Sequence, residues 1–141
     1  MKILKPKFWD QNYYTFFSLF LWPISFFYQI LISLKKLITV KKKFPIPIIC
    51  VGNIYIGGTG KTPLAIKIFE ILKELNKNPV IIKKSYKNHE DEISLIKNYG
   101  KILISKKRVD AINDAVEKKF NCAVLDDGYQ DFEIKKNLNI I

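Results

Sequence analysis

The sequence predicts an α/β domain with a mostly parallel sheet, preceded by an apolar N-terminal helix. Three observations support this fold class. Short apolar runs alternate with amphipathic stretches along residues 45–141, which is the order expected of parallel strands joined by helices. A glycine-rich loop lies between the first apolar run and the first amphipathic stretch. A run of 22 uncharged residues, 13–34, precedes the domain.

Size and charge restrict the class of protein further. The chain has 141 residues, enough for one hydrophobic core, and 48% of them are apolar, which excludes a disordered composition. Residues 1–50 contain eight lysines and one acid, a net charge of +7, whereas residues 51–141 carry only +4. We therefore expect the N-terminal arm to contact an anionic surface, either a nucleic acid or a membrane.

The N-terminal segment, residues 1–44, favours the membrane. As a helix, its uncharged run would be about 33 Å long, close to the roughly 30 Å of a bilayer core. Lysines flank the run on both sides, and Pro23 would kink a spanning helix, so a full span and an interfacial position both stay open. Burial against a partner is the remaining alternative. We expect no nucleic-acid binding, because the lysines flank an apolar run and do not line a polar face.

Apolar runs bounded by proline, glycine and polar residues predict the strands of the domain, residues 45–141. Cys50 and Cys122 fall inside two of these runs without metal-ligand spacing, so we expect buried thiols. The predicted strands lie within FPIPIICVGNI (44–54), PVIIK (79–83), KILIS (101–105), CAVLDDG (122–128) and NLNII (137–141).

Helical periodicity predicts the connections between these strands. A polar loop leads into a short helix within residues 89–99, and a further helix is expected over residues 108–120. Pro63 is compatible with the helix that follows the glycine loop, because a first-turn proline gives up an N–H that has no helical partner. The apolar residues that recur at helical spacing in that helix are Leu64, Ile68, Ile71, Leu72 and Leu75.

The stretch YIGGTGKTP, residues 55–63, predicts a phosphate-binding loop. A glycine loop that opens a helix presents backbone N–H groups at the positive end of the helix dipole. We expect Lys61 to reach the β- and γ-phosphates of a nucleotide and the hydroxyl of Thr62 to ligate Mg²⁺. The chain departs from the strict pattern G-x-x-x-x-G-K-[ST] at its first position, where it has Tyr55 in place of glycine. The expected nucleotide-binding residues are Tyr55, Ile56, Gly57, Gly58, Thr59, Gly60, Lys61 and Thr62.

Two acidic groups complete the expected site of a P-loop NTPase-like, three-layer domain. CAVLDDG ends a strand in Asp126 and Asp127, at the sheet edge where the glycine loop also falls, and this pair is expected to hold Mg²⁺. HEDE, residues 89–92, offers Asp91 to deprotonate an acceptor hydroxyl and Glu92 to help place the metal. On the motif alone, a solvated acidic loop that caps the next helix is the simpler interpretation.

Together, these motifs resemble the tetraacyldisaccharide 4'-kinase family, the lipid A 4'-kinases. VGNIYIGGTGKTP is similar to the family's V-G-N-x-x-x-G-G-T-G-K-T-P, which also lacks the first glycine, and LDDGYQD matches its D-D-G-x-Q. EDE falls where the family has G-D-E, and SKKRVDAI is similar to its basic segment leading into a helix. The chain departs from the family's S-R-G-Y-G at KKSYK, residues 83–87. Members are longer, so the resemblance is to their N-terminal portion.

The resemblance implies a kinase that transfers the γ-phosphate of ATP to the 4'-hydroxyl of tetraacyldisaccharide 1-phosphate in lipid A biosynthesis. It implies ATP and Mg²⁺ as cofactors, the lipid disaccharide as substrate, and a location at the cytoplasmic face of the inner membrane, reached through the N-terminal helix. Lys61 and Asp91 would be the catalytic residues, with Asp91 activating the sugar hydroxyl. The residues implied to hold or position Mg²⁺ are Thr62, Glu92, Asp126 and Asp127.

Two other interpretations stay open from the sequence. One is a membrane-attached P-loop ATPase switch, whose loop carries a signature lysine where this chain has Ile56, and in which Pro63 is not expected. The other is an inert nucleotide-binding half-domain, which nothing in these residues excludes.

Overall fold

The computed structural model describes residues 16–52, 60–85, 96 and 98–141, and the chain divides into two compact units, Met1–Val40 and Lys41–Ile141. The first unit contains helix α1, Phe16–Ile38, about 35 Å long, which continues through Pro23. Large apolar side chains are exposed all round this helix. Its part Leu19–Ile38 is long and apolar enough to cross a membrane. The predicted N-terminal helix is therefore confirmed as a helix.

The second unit is built on a five-stranded sheet. Its strands are β1 (Ile48–Val51), β2 (Pro79–Lys84), β3 (Ile102–Ser105), β4 (Cys122–Asp126) and β5 (Leu138–Ile140). They lie in the order β3-β2-β4-β1-β5, and every neighbouring pair is parallel. The predicted α/β class with a mostly parallel sheet is confirmed. Because β4 lies between β1 and β2, the carboxyl ends of these three strands are side by side.

Helices cover both faces of the sheet. Helix α2, Lys61–Glu74, packs against Val51, Ile81 and Val124, whereas helix α3, Arg108–Glu117, packs against the residues that alternate with them along the strands. The core therefore has two apolar layers separated by the sheet, as in a three-layer α/β domain.

The buried face of α2 agrees only in part with the apolar residues expected at helical spacing. Ile68 and Leu72 pack against the core as partly buried side chains, whereas Leu64, Ile71 and Leu75 are exposed. The buried residues of the helix are Ala65, Ile66 and Phe69. Two apolar stripes run along this helix, and periodicity alone does not tell which one faces the sheet. Small Ala65 brings the first turn close to the strands, and Phe69 fills the space farther along the sheet.

Several element boundaries differ from the predictions for reasons of backbone geometry. Helix α3 ends at Glu117 and not at Phe120, because Lys119 adopts a left-handed conformation with φ of 59°. Strand β4 ends at Asp126, because the next residue, Asp127, has φ of 58°. Within the predicted helix of residues 89–99, the described residues 96, 98 and 99 are helical, and the others lie outside the described part of the chain.

Both cysteines are buried in strands, as the sequence predicts. Burial raises the pKa of the Cys50 and Cys122 thiols above the ordinary value, and the nearby lysines Lys136 and Lys77 respectively oppose that shift only in part. A raised pKa keeps the thiols protonated near neutral pH, so these side chains act as small apolar groups in the core.

The layered core predicts that the loss of stability on Ile→Ala substitution depends strongly on the position of the isoleucine in the sheet. Ile82 of β2 is fully buried, so Ile82→Ala should lower the free energy of unfolding by about 2–5 kcal/mol in a urea titration. The control Ile104→Ala, on the edge strand β3 and partly exposed, should cost about 1 kcal/mol or less. Equal losses at the two positions would contradict the difference in burial between Ile82 and Ile104.

Candidate functional site

The carboxyl ends of β1, β4 and β2 bring the predicted site residues to one edge of the sheet. Strand β1 leads through Gly52 into residues 53–59, which lie outside the described residues, and the chain is described again at Gly60, just before α2. Strand β4 ends at Asp126, next to Lys83 of β2 in the sheet register. In open parallel sheets, ligands bind at the carboxyl ends of the strands, so a binding site is expected at this edge.

The beginning of α2 has a backbone conformation that requires glycine. Gly60 precedes the helix with φ of 75° and ψ of 19°, a conformation that residues with a Cβ rarely adopt, and among the described residues no side-chain hydrogen bond caps the helix. The first-turn N–H groups of a helix lie at the positive end of the helix dipole and can bind an anion. Lys61 and Thr62 are the first two residues of this helix, and Pro63 is accommodated in the same turn, as predicted.

The carboxylate of Asp126 links three elements of the site. It is 1% exposed, and its Oδ2 accepts a hydrogen bond of 3.0 Å from the Thr62 hydroxyl and one of 2.7 Å from the Lys83 ammonium. Within the described part of the chain, its other oxygen, Oδ1, is buried without a hydrogen-bond partner. A buried carboxylate oxygen without a donor is unusual and marks a place for a cation or a water.

Asp127 pairs with the predicted phosphate-binding lysine. The Lys61 ammonium lies 3.4 Å from Asp127 Oδ1, and the Asp127 side chain is 53% exposed. Solvent screens such a pair, so it is weak and can exchange for another partner of Lys61. The structure thus brings together the two motifs that the sequence analysis expected to meet, the end of the glycine loop and the Asp126–Asp127 pair.

Arg108 fixes the turn that follows β4. Its guanidinium is 4% exposed and donates from Nη2 to the backbone carbonyls of Asp126 and Asp127, at 2.9 and 2.8 Å. Its Nη1 pairs with Asp131 Oδ2 at 2.6 Å. One arginine therefore connects the first turn of α3 to both residues of the acidic pair and to the segment after them.

The motif glycine after the two aspartates has a packing role. A Cβ on Gly128 would lie 2.9 Å from Leu125 Cβ and 3.3 Å from Cys50 Sγ, so the turn packs directly on β4 and β1. The next residues are held by Lys136, whose ammonium donates to the Tyr129 carbonyl at 2.7 Å. Burial lowers the pKa of Lys136, and Cys50 and Asp131 partly oppose this shift.

Comparisons with known proteins show the family of the chain. The family model described as Tetraacyldisaccharide-1-P 4'-kinase matches residues 17–141. The chain belongs to this family. A tetraacyldisaccharide 4'-kinase of Pelagibacter ubique (strain HTCC1062) is 46% identical over 144 residues, covering 100% of this chain and 45% of the relative.

Two further members of the tetraacyldisaccharide 4'-kinase family show how much of these proteins the chain represents. The relative from Rickettsia canadensis (strain McKiel) is 31% identical over 100% of this chain and 48% of its own length. The relative from Polynucleobacter necessarius subsp. necessarius (strain STIR1) is 49% identical over 57% of this chain and 23% of its own length. The chain therefore spans about half the length, or less, of these relatives.

The side chains at this edge fit Mg²⁺ by their chemistry. The Thr62 hydroxyl and the carboxylates of Asp126 and Asp127 are hard oxygen donors, and Oδ1 of Asp126 is an orphaned one. The described residues contain no group of three or more His, Cys, Asp or Glu side chains, but Mg²⁺ requires only one or two carboxylates when a phosphate and water supply the other ligands. The other predicted residues, Tyr55, Ile56, Gly57, Gly58, Thr59, Asp91 and Glu92, lie outside the described residues.

Sequence reasoning missed Lys83 and Arg108 as residues of this edge. The signal for Lys83 was a charged residue near the end of an otherwise apolar strand, PVIIKK. A lysine at such a position is either exposed at the sheet edge or paired inside it, and only the neighbour from β4 decides between these outcomes. The signal for Arg108 was its position at the beginning of a helix, where a cation is unfavourable unless it bonds elsewhere.

The contacts of Arg108 predict a large loss of stability when they are removed. Arg108→Gln removes the guanidinium that bonds Asp131, the buried carbonyl of Asp126 and the partly buried carbonyl of Asp127, so the free energy of unfolding should fall by about 3–5 kcal/mol in a denaturant titration. The control Lys106→Gln changes the same charge at an exposed position and should cost less than about 0.5 kcal/mol. A loss at Arg108 no greater than at Lys106 would show that the turn is held by other contacts.

Proposed function

We propose that the chain is the nucleotide-binding part of a kinase that transfers the γ-phosphate of ATP to the 4'-hydroxyl of tetraacyldisaccharide 1-phosphate in lipid A biosynthesis. The observation that carries this proposal is the hydrogen bond between Thr62, in the first turn of α2, and the buried Asp126 of β4. It joins the two halves of an ATP site as phosphoryl-transfer proteins build them, a phosphate-binding loop and an acidic strand end. Family membership supports the acceptor.

The ATP side of the site is assigned to residues 55–62. The glycine loop and the first turn of α2 are proposed to cradle the phosphates, with the backbone at Gly60 free to approach them closely. Lys61 would leave the exposed carboxylate of Asp127 and pair with the β- and γ-phosphates, an exchange of one weak ion pair for a charge-assisted contact. This residue is assigned the stabilisation of negative charge during phosphoryl transfer.

The metal and acceptor sides use the acidic residues. Thr62, Asp126 and Asp127, with Glu92, are proposed to hold or position Mg²⁺, which would neutralise phosphate charge when bound. Asp91 is assigned the removal of the proton from the sugar hydroxyl, the role that a base has in phosphoryl transfer to an alcohol. Arg108 keeps the carbonyls of Asp126 and Asp127 fixed, so the two carboxylates stay directed toward the helix terminus.

The N-terminal segment, residues 1–44, is proposed to hold the nucleotide-binding domain, residues 45–141, at the cytoplasmic face of the inner membrane. A tetraacylated substrate leaves a bilayer only at a cost of about 0.8 kcal/mol for each CH₂ transferred to water. An enzyme for such a substrate must therefore work at the membrane surface. Helix α1 supplies the apolar surface, and Lys35 and Lys36 in its last turn supply positive charge toward anionic head groups.

The proposed role of Lys61 predicts a loss of phosphoryl transfer that is specific to its position on α2. In the complete protein, Lys61→Ala should lower transfer of ³²P from γ-labelled ATP to tetraacyldisaccharide 1-phosphate by at least about 100-fold. The matched control is Lys67→Ala on the same helix, where the lysine is exposed and pairs only with Glu70 among the contacts described for it. This control should retain activity within about twofold.

The same assay distinguishes the kinase from the two alternatives. ATP binding without labelling of the lipid by the complete protein would contradict the kinase assignment and favour an ATPase switch or an inert nucleotide-binding part. A Lys61→Ala variant with the activity of Lys67→Ala would contradict the assignment of the phosphate-binding loop.

Because the apolar surface of α1 is exposed, we expect it to bind membranes, and we expect aspartate substitutions on that surface to weaken the binding. Phe20→Asp combined with Phe27→Asp should release the complete protein from vesicles of anionic phospholipid in a flotation assay, because charged groups are costly in the acyl region. The control Tyr99→Asp makes the same kind of change at an exposed aromatic residue of the second unit and should leave flotation unchanged. Flotation of the double variant at the wild-type level would show that another part of the protein binds the membrane.

A further inference from the structure

Lys83 is a buried charge to which the proposed function assigns no role. It lies near the carboxyl end of β2 and is the register partner of Asp126 on the neighbouring strand β4. It is 6% exposed, so both its aliphatic stem and its ammonium group are inside the protein. Lysines are almost never buried to this degree without an opposite charge, which here is the carboxylate of Asp126.

The position of Lys83 brings its charge into the proposed phosphate site. Register partners on adjacent parallel strands point to the same face of the sheet, and Val124, two residues before Asp126, packs against α2. The Lys83 ammonium is 2.7 Å from Asp126 Oδ2, the same oxygen that accepts the hydrogen bond from Thr62. One carboxylate oxygen therefore carries both contacts, and the other, Oδ1, has none within the described part of the chain.

We infer that Lys83 is the cation that neutralises Asp126 when no Mg²⁺ is bound, and that it is a positioning residue which keeps the nucleotide-free site from binding Mg²⁺ tightly. This inference rests on the proposed function, because it concerns the same phosphate site. It assigns Lys83 no contact with the substrate. Lys83 acts through Asp126, whose orientation toward Thr62 it holds.

The charges of the four side chains explain why Lys83 would have this effect. Asp126 faces Lys83 and Asp127 faces Lys61, so the charges of these four residues cancel before any ligand binds. A divalent cation that approaches Asp126 meets an ammonium group on the same carboxylate, and like charges a few ångströms apart repel strongly in a buried site. The phosphates of a nucleotide bring negative charge, which can compensate the positive charge of a divalent cation at this site. Mg²⁺ is therefore expected to enter together with ATP.

Thermal unfolding in a MgCl₂ titration without nucleotide tests this inference on the complete protein. Lys83→Met removes the charge and keeps a long side chain. In EDTA its Tm should fall below that of the wild type, because Asp126 keeps the hydrogen bond from Thr62 but loses the ammonium group that neutralises its buried charge. MgCl₂ should restore the Tm of this variant, with a half-saturating concentration at least about tenfold lower than any wild-type response.

Two further variants separate the effect of charge from the effect of structure. The double variant Lys83→Met with Asp126→Asn removes both charges, so it should fold in EDTA and show no response to MgCl₂. Lys106→Met removes the same charge at an exposed position outside the site and should behave as the wild type.

Three outcomes would decide against the role of Lys83. The inference is overturned if MgCl₂ leaves the Tm of Lys83→Met unchanged, or if the variant binds Mg²⁺ no more tightly than the wild type. It is also overturned if Lys83→Met stays unfolded at every MgCl₂ concentration while the double variant folds. Binding of a fluorescent ATP analogue by the wild type in MgCl₂ is a separate measurement. If the ATP analogue does not bind, the proposed function is contradicted, but the result on Lys83 is unaffected.

Discussion

The buried carboxylate of Asp126 is the constraint on which the rest of the site depends. A charge that is 1% exposed must be paired, and Asp126 is paired with Lys83 from β2 and bonded to Thr62 from α2. These contacts fix the end of β4 relative to the first turn of the helix that follows the glycine loop. Arg108 then holds the backbone of the same turn. Replacing such a pair by apolar groups often costs little, so its value here lies in fixing geometry.

The order of strands determines which residues surround Asp126. Strand β4 lies between β1 and β2, so Asp126 is flanked by the strand that leads into the glycine loop and by the strand that carries Lys83. Each side chain comes from a different part of the chain, and only the parallel sheet brings them together. In the proposed function, the phosphates of a nucleotide would lie at the helix terminus, and Mg²⁺ would join them to the carboxylate.

The sequence predicted the fold class and the meeting of the two motifs because both depend on patterns of residue type. Alternating runs specify strands and helices, and parallel strands place their carboxyl ends at one edge. It did not predict which stripe of α2 is buried, since both Phe69 and Leu64 lie on apolar stripes and packing against the sheet decides between them. It did not find Lys83 either, because the partner that makes its burial tolerable comes from a strand 43 residues away in the chain.

The structure of the complete protein with Mg²⁺ and a non-hydrolysable ATP analogue tests the account most directly. We expect Lys61 to leave Asp127 and to contact the β- and γ-phosphates, with the Thr62 hydroxyl and the carboxylate of Asp126 or Asp127 at the metal or its bound water. A nucleotide bound away from the first turn of α2, with the Lys61–Asp127 pair intact, would contradict it.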